Sequence, residues 1–137
     1  MATALAKVED EAVHKLILEA LDVIGSDDFD RYFDLFTEDA VWMMPSTFND
    51  VRVEEARSFY SFTRKFKFDQ KASIDEVVIA GDWALVRLSF DGFLRPKAKG
   101  DSLPLQSVSR HIWVLKRQDD GVWKIARDIW NTPKITG

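Results

Sequence analysis

Apolar residues recur at three- and four-residue spacing at Val13, Leu16, Ile17, Ala20, Leu21 and Ile24, which predicts a long amphipathic helix closed by Gly25. Ser26-Asp27-Asp28 then offers N-cap side chains to a short second helix whose apolar stripe is Phe29, Tyr32, Phe33 and Phe36. The run from Ala40 to Met44 reads as a brief strand stopped by Pro45. A third helix is predicted over Glu54 to Arg64, with Phe59, Phe62 and Thr63 turned inward. From about Asp69 the period falls to two, predicting strands near 69–80, 82–94, 105–117 and 121–131. Gly81-Asp82, the loop from Pro96 to Pro104 and Asp119-Asp120-Gly121 separate them, so the strands form an antiparallel meander. Helices followed by strands make an α+β domain with its helices gathered on one face of the sheet.

The last strand candidate, Val122 to Asn131, departs from simple alternation. One face would carry Val122, Lys124, Ala126, Asp128 and Trp130, and the other Trp123, Ile125, Arg127, Ile129 and Asn131. Neither set reads as plain solvent surface, so both sides need cover. The carboxylate of Asp128, set among large apolar groups, is the first candidate for chemistry.

The chain's 137 residues suit one domain spanning 1–137, with about two thirds of the unfolded surface buried on folding. A composition 46% hydrophobic and 31% charged excludes a disordered chain. There is no cysteine, hence no disulfide or thiolate metal site. The first ten residues lack the basic and apolar regions of a signal peptide, and no window approaches the ~20 apolar residues of a membrane span, so a cytoplasmic protein with no membrane partner is expected. A net charge of −4 argues against nucleic-acid binding. Residues 1–56 carry 14 acids and 4 bases, and residues 57–137 carry 9 acids and 15 bases, a split that reads mainly as solvated faces. The basic run Arg64-Lys65-Phe66-Lys67 is read as a solvated edge at a helix-to-strand junction.

Two segments carry a resemblance: Gly25-Ser26-Asp27-Asp28-Phe29 through Leu35-Phe36-Thr37-Glu38-Asp39-Ala40-Val41, and the closing Asp-Gly-x-Trp-Lys-Ile-x-x-Asp-x-Trp-Asn. Together with the order of elements, they resemble the SnoaL-like, ketosteroid-isomerase-like branch of the nuclear transport factor 2-like superfamily, over nearly the whole chain. That resemblance implies a cystatin-like cone, in which a strongly curved, mainly antiparallel sheet wraps the long helix and leaves a pocket open at one end. It also implies dimers formed by packing one sheet on another. The superfamily's functions range from isomerases and dehydratases to noncatalytic modules, so fold alone does not give activity. Matching the isomerase pattern puts Met44 at the general-base position, Ala20 at the oxyanion tyrosine and Arg110 at the oxyanion aspartate. None of these side chains can perform the matched role, which excludes steroid isomerisation by that route.

The same matching turns Ala126, Asp128 and Trp130 inward with Trp42 and Met44, and leaves Arg110 on the neighbouring strand close to Asp128. On this reading Asp128 moves a proton, or instead ties the last two strands together. Arg110 polarises a ligand oxygen, and Trp42, Met44, Phe59, Phe62, Trp130 and Asn131 contact the ligand. The two histidines, His14 and His111, are too few for a histidine metal triad, and neither a metal nor a cofactor is expected. His111, alternating with Ser109, Trp113 and Leu115, is expected to face away from the cone. No phosphate-binding glycine loop or nucleophile elbow occurs.

The set Trp113, Leu115, Trp123, Ile125 and Ile129 reads as an exposed apolar face through which two copies form a homodimer. Two functions stand open. One is a cofactor-free isomerase, dehydratase or lyase acting on a small apolar or aromatic oxygenated compound. The other is a noncatalytic dimerisation or interaction module whose cone is filled by its own side chains. Pocket volume separates them, since a small-molecule site usually needs ~300 Å³ or more.

Overall fold

The computed structural model describes residues 4–26, 28–98 and 103–133, with the side chains of 4–8 and of Phe62 outside the described set. Helix α1 (Ala4–Ser26) is followed by α2 (Phe29–Tyr32), a 3-10 turn (Phe33–Leu35) and β1 (Phe36–Met43). Then come α3 (Val53–Phe59), a second 3-10 segment (Tyr60–Arg64), and the strands β2 (Phe66–Ala80), β3 (Trp83–Pro96), β4 (Leu105–Arg117) and β5 (Trp123–Asn131). The five strands lie in the order β1-β5-β4-β3-β2 in a curved, unclosed sheet. The pairs from β2 to β5 are antiparallel, and β1 joins β5 in parallel. This is the expected α+β architecture. The third helix is shorter than predicted, its second half tightening into the 3-10 segment, and β1 begins four residues earlier, at Phe36.

Of the stripe predicted on α1, Val13, Leu16, Ile17 and Ala20 are buried together with Val23, whereas Leu21 and Ile24 are half-buried. A carboxylate fastens its N-terminal part, because Glu9 accepts from the Trp123 indole at 2.6 Å and from Arg117 at 3.2 Å. Phe29, Tyr32, Phe33 and Phe36 are buried as the spacing predicts and build an aromatic cluster with Tyr60; Phe29 stacks on Tyr60 at 5.6 Å between centroids. Gly81, at φ 62°, makes the tight turn from β2 to β3 that a side chain would strain. Further along β3, Gly92 sits opposite Gln70, and a methyl group there would come within 2.2 Å of the Asp69 carbonyl oxygen.

The anomaly of the last strand has a structural cause. Adjacent residues Val114 and Leu115 on β4 pair with Arg127 and Ile125 on β5, so Ala126 is an extra residue, a β-bulge. Before the bulge Trp123 and Ile125 point into the core; after it Asp128 and Trp130 take the same face. One strand thus supplies apolar residues of both alternation phases to one interior. The expected outward apolar face is corrected accordingly: Trp113, Leu115, Trp123 and Ile125 are buried, and only Ile129 of that set is exposed. The outer surface instead presents Leu85, Ile112 and Ile129 among Arg87, Arg110 and Arg127.

Candidate functional site

Strand β4 turns Ser109, His111 and Trp113 into the interior, the reverse of the face expected for them. A one-residue change of phase exchanges every side chain between faces, so Arg110 lies on the outside. There it is exposed and donates to Asn131 Oδ1 at 3.4 Å. The expected Arg110–Asp128 pair is therefore replaced by His111 with Asp128: Nδ1 lies 2.8 Å from Asp128 Oδ1. His111 Nε2 lies 3.0 Å from Ser109 Oγ, completing a Ser109–His111–Asp128 chain. Trp130 stacks on the imidazole at 5.1 Å and 14° between planes, and Phe90 meets it edge-on at 5.1 Å. The ring is clamped on both sides.

Asp128 has no solvent exposure. Burial raises its pKa from the ordinary 3.8, opposed by the charge and hydrogen bond of His111 and by the neighbouring Trp113 indole. Register places Trp42 of β1 and Trp113 of β4 beside it. The indole N–H groups of both, and Asp128 Oδ2, are buried without a formed hydrogen bond. Of the two indoles, that of Trp113 acts on the carboxylate and lowers its pKa. With Asp128 ionised, His111 carries its proton on Nδ1, leaving the Nε2 lone pair toward Ser109 and the interior.

Ser109, His111 and Trp130 border a cavity of about 150 Å³. Its walls include Tyr32, Tyr60, Phe29 and Phe68 from the helical layer and β2, and its polar rim includes Gln70 and Ser107. Gln70 Nε2 is committed to Ser107, donating to its carbonyl at 3.1 Å and its hydroxyl at 3.0 Å. Burial pushes both tyrosine hydroxyls well above their ordinary pKa; Tyr60 adds to the effect on Tyr32, and the Asp128 charge adds to both. They remain protonated donors at physiological pH. Among the described residues no lysine or arginine lines the cavity.

Of the expected ligand contacts, Trp130 and Phe59 border this cavity. Trp42 and Met44 do not: Trp42 is wholly buried and stacks on Phe36 at 4.4 Å, and Met44 is packed in the same core. Asn131 is exposed on the outer side with Arg110. The side chain of Phe62 lies outside the described residues. Asp128 alone keeps its expected inward position among the two catalytic candidates. The residues missed are Ser109, His111, Tyr32 and Tyr60. A signal for β4 was present, since Arg110 and Lys116 share one alternation phase and mark it as the solvent side. Tyr32 belongs to an apolar stripe whose period gives no hint that the residue borders a cavity.

The fold and this interior place the chain in a defined class. The sequence matches the SnoaL-like domain over residues 17–127, and the protein belongs to that family. A ketosteroid isomerase-like protein from Erwinia carotovora atroseptica superposes with TM-score 0.77 at 24% identity, covering 91% of this chain and 96% of that one. A Novosphingobium aromaticivorans protein provisionally named scytalone dehydratase gives 0.75 at 15% identity, over 93% and 85%. An NTF2-like protein of unknown function from Shewanella baltica gives 0.71 at 15% identity, over 98% and 100%. No curated protein matches the sequence. Among the described residues no helix is long and apolar enough to cross a membrane.

Proposed function

We propose that this protein is a cofactor-independent proton-transfer enzyme, an isomerase, dehydratase or lyase, acting on an uncharged, oxygenated compound of about one ring. The observation that carries this reading is the wholly buried Asp128 bonded to His111 at the wall of an aromatic cavity. A carboxylate behind an imidazole fixes its tautomer and stabilises the imidazolium formed on proton uptake. His111 Nε2 would remove a proton from the carbon beside a carbonyl, with the Ser109 hydroxyl turning aside. The enolate oxygen would be held by the Tyr32 and Tyr60 hydroxyls. Return of the proton to another carbon completes an isomerisation; its delivery to a departing β-hydroxyl releases water and completes a dehydration. The names of the isomerase-like and dehydratase structural relatives fit either outcome.

Size and charge support the substrate class. A cavity of about 150 Å³ matches the space that accepts benzene in an engineered protein interior. With no lysine or arginine among the described lining residues and Asp128 behind them, an anionic substrate would meet repulsion without a partner. The test is proton exchange: cyclic ketones of six to eight heavy atoms are incubated in D2O with the native protein and with His111→Gln. Deuterium incorporation beside the carbonyl that depends on His111 is expected; native protein no faster than buffer would overturn the reading. A noncatalytic module is the second reading, favoured by a cavity about half the least volume usual for a small-molecule site. Failure of every ketone to raise the melting temperature would give it the lead.

A further inference from the structure

We propose that Ser109 is a nucleophile, so that this cavity also accepts the acyl group of small activated aryl esters. This rests on the same His111–Asp128 pair as the proton-transfer reading but requires a different reaction. Three observations carry it. Ser109 Oγ is within 3.0 Å of His111 Nε2, and His111 Nδ1 is within 2.8 Å of Asp128. A nucleophile in reach of a base that is itself oriented by a third group is the arrangement that activates a hydroxyl. Ser109 is 8% exposed and borders the cavity, so its oxygen meets an incoming carbonyl away from bulk water. The stacked Trp130 and the edge of Phe90 restrict rotation of the imidazole, holding Nε2 toward Ser109.

The chemistry closes without a co-reactant other than water. Ser109 Oγ forms a bond to the acyl carbon while Nε2 takes the hydroxyl proton. The ester C–O bond then breaks, and the phenol leaves with the proton from Nε2. Water, deprotonated by the same nitrogen, cleaves the acyl-serine and restores the hydroxyl. Asp128 keeps its negative charge beside the imidazolium throughout. Tyr32 and Tyr60 line the same cavity, and their hydroxyls, kept protonated by burial, would serve as donors to the carbonyl oxygen as it gains charge. Aryl esters fit because the walls are aromatic and the volume admits one ring.

The probe is phenylmethanesulfonyl fluoride, in which Ser109 Oγ would bond to sulfur as fluoride leaves. Intact-mass and peptide analysis of the native protein should show one adduct per chain, on Ser109, forming at least ~100-fold more slowly in His111→Gln. Ser109→Cys supplies an independent readout, because the sequence contains no cysteine. Its single thiol should react with iodoacetamide at pH 6 far faster than glutathione does, since a neighbouring imidazole favours the thiolate. An absent adduct, an adduct on another residue, an unchanged rate in His111→Gln, or a thiol with ordinary reactivity would each overturn the proposal. Ketone exchange without a serine adduct would sink this inference alone, and an adduct without exchange would sink the proton-transfer reading alone.

Discussion

Replacing Asp128 by asparagine separates the structural from the chemical role of the buried carboxylate. The change keeps the side-chain shape and still lets an amide oxygen accept the His111 Nδ1 proton. A hydrogen bond to a charged group, ~1.5 to 3 kcal/mol, becomes a neutral one of ~1 kcal/mol. The variant no longer buries a charge, but its amide NH2 takes the place of Oδ2 without a formed partner, so the ~1 to 3 kcal/mol cost of an unsatisfied buried group remains in either form. At pH 7 the weaker bond to His111 decides the balance, so stability should fall by less than ~2 kcal/mol. The pH trend is more informative. Folding raises the Asp128 pKa above 3.8, so the native state holds this proton more tightly than the unfolded chain. Its contribution to stability is fully present below the unfolded value and is lost as pH rises through the folded value. Asp128→Asn lacks this decline, so its melting temperature should gain on that of the native protein between pH 4 and neutrality. Any proton transfer or acylation at the site should meanwhile fall by ~100- to 10,000-fold, as the imidazolium loses its counter-charge. Calorimetric melts at matched pH, with carbon NMR titration of the carboxyl, provide the assay. A native protein that gains on the variant as pH rises would refute the argument, because it would mean that His111 and the Trp113 indole outweigh burial.

Three further outcomes follow from packing. Leu115→Ala, at a fully buried position, should cost ~2 to 5 kcal/mol by denaturant titration, whereas an outward Leu115 would leave stability almost unchanged. Gly92→Ala should cost ~1 to 3 kcal/mol by thermal melt, because its methyl would force β2 from β3 at Gln70; an unchanged melting temperature would contradict that approach. We expect a homodimer through the outer sheet face around Leu85, Ile112 and Ile129, and Ile129→Lys should convert it to monomer by light scattering with little change in stability; a native monomer would rule it out.

The period of the apolar residues made most of the fold legible. Alternation located β2 to β5 within a few residues, and the stripe on α1 became its buried face. The site was legible only at Asp128 and Trp130, with Phe59 at the cavity border. The partner of Asp128 was misplaced because the faces of β4 were read in the wrong phase, which put Arg110 where His111 stands. The bulge at Ala126 compounded this: large apolar residues on both phases suggested a sheet covered on both sides, although they serve a single core. A bulge leaves no composition signal here, since alanine is ordinary in either a strand or an irregularity. Trp42 and Met44 were correctly placed inside, but an inward side chain can fill the core without reaching the cavity.

That single extra residue also makes the interior unusually easy to rewrite. Deleting Ala126 would leave Ile125 opposite Leu115 and Arg127 opposite Val114, so every side chain would keep its seat. Taking Ala126 into the ladder opposite Val114 would instead put Arg127 and Ile129 on the face now held by Asp128 and Trp130, exchanging an anion for a cation behind His111. A slip of register by one residue, with no change of sequence, would thus reverse the charge beside the cavity without disturbing the hydrophobic half of the strand.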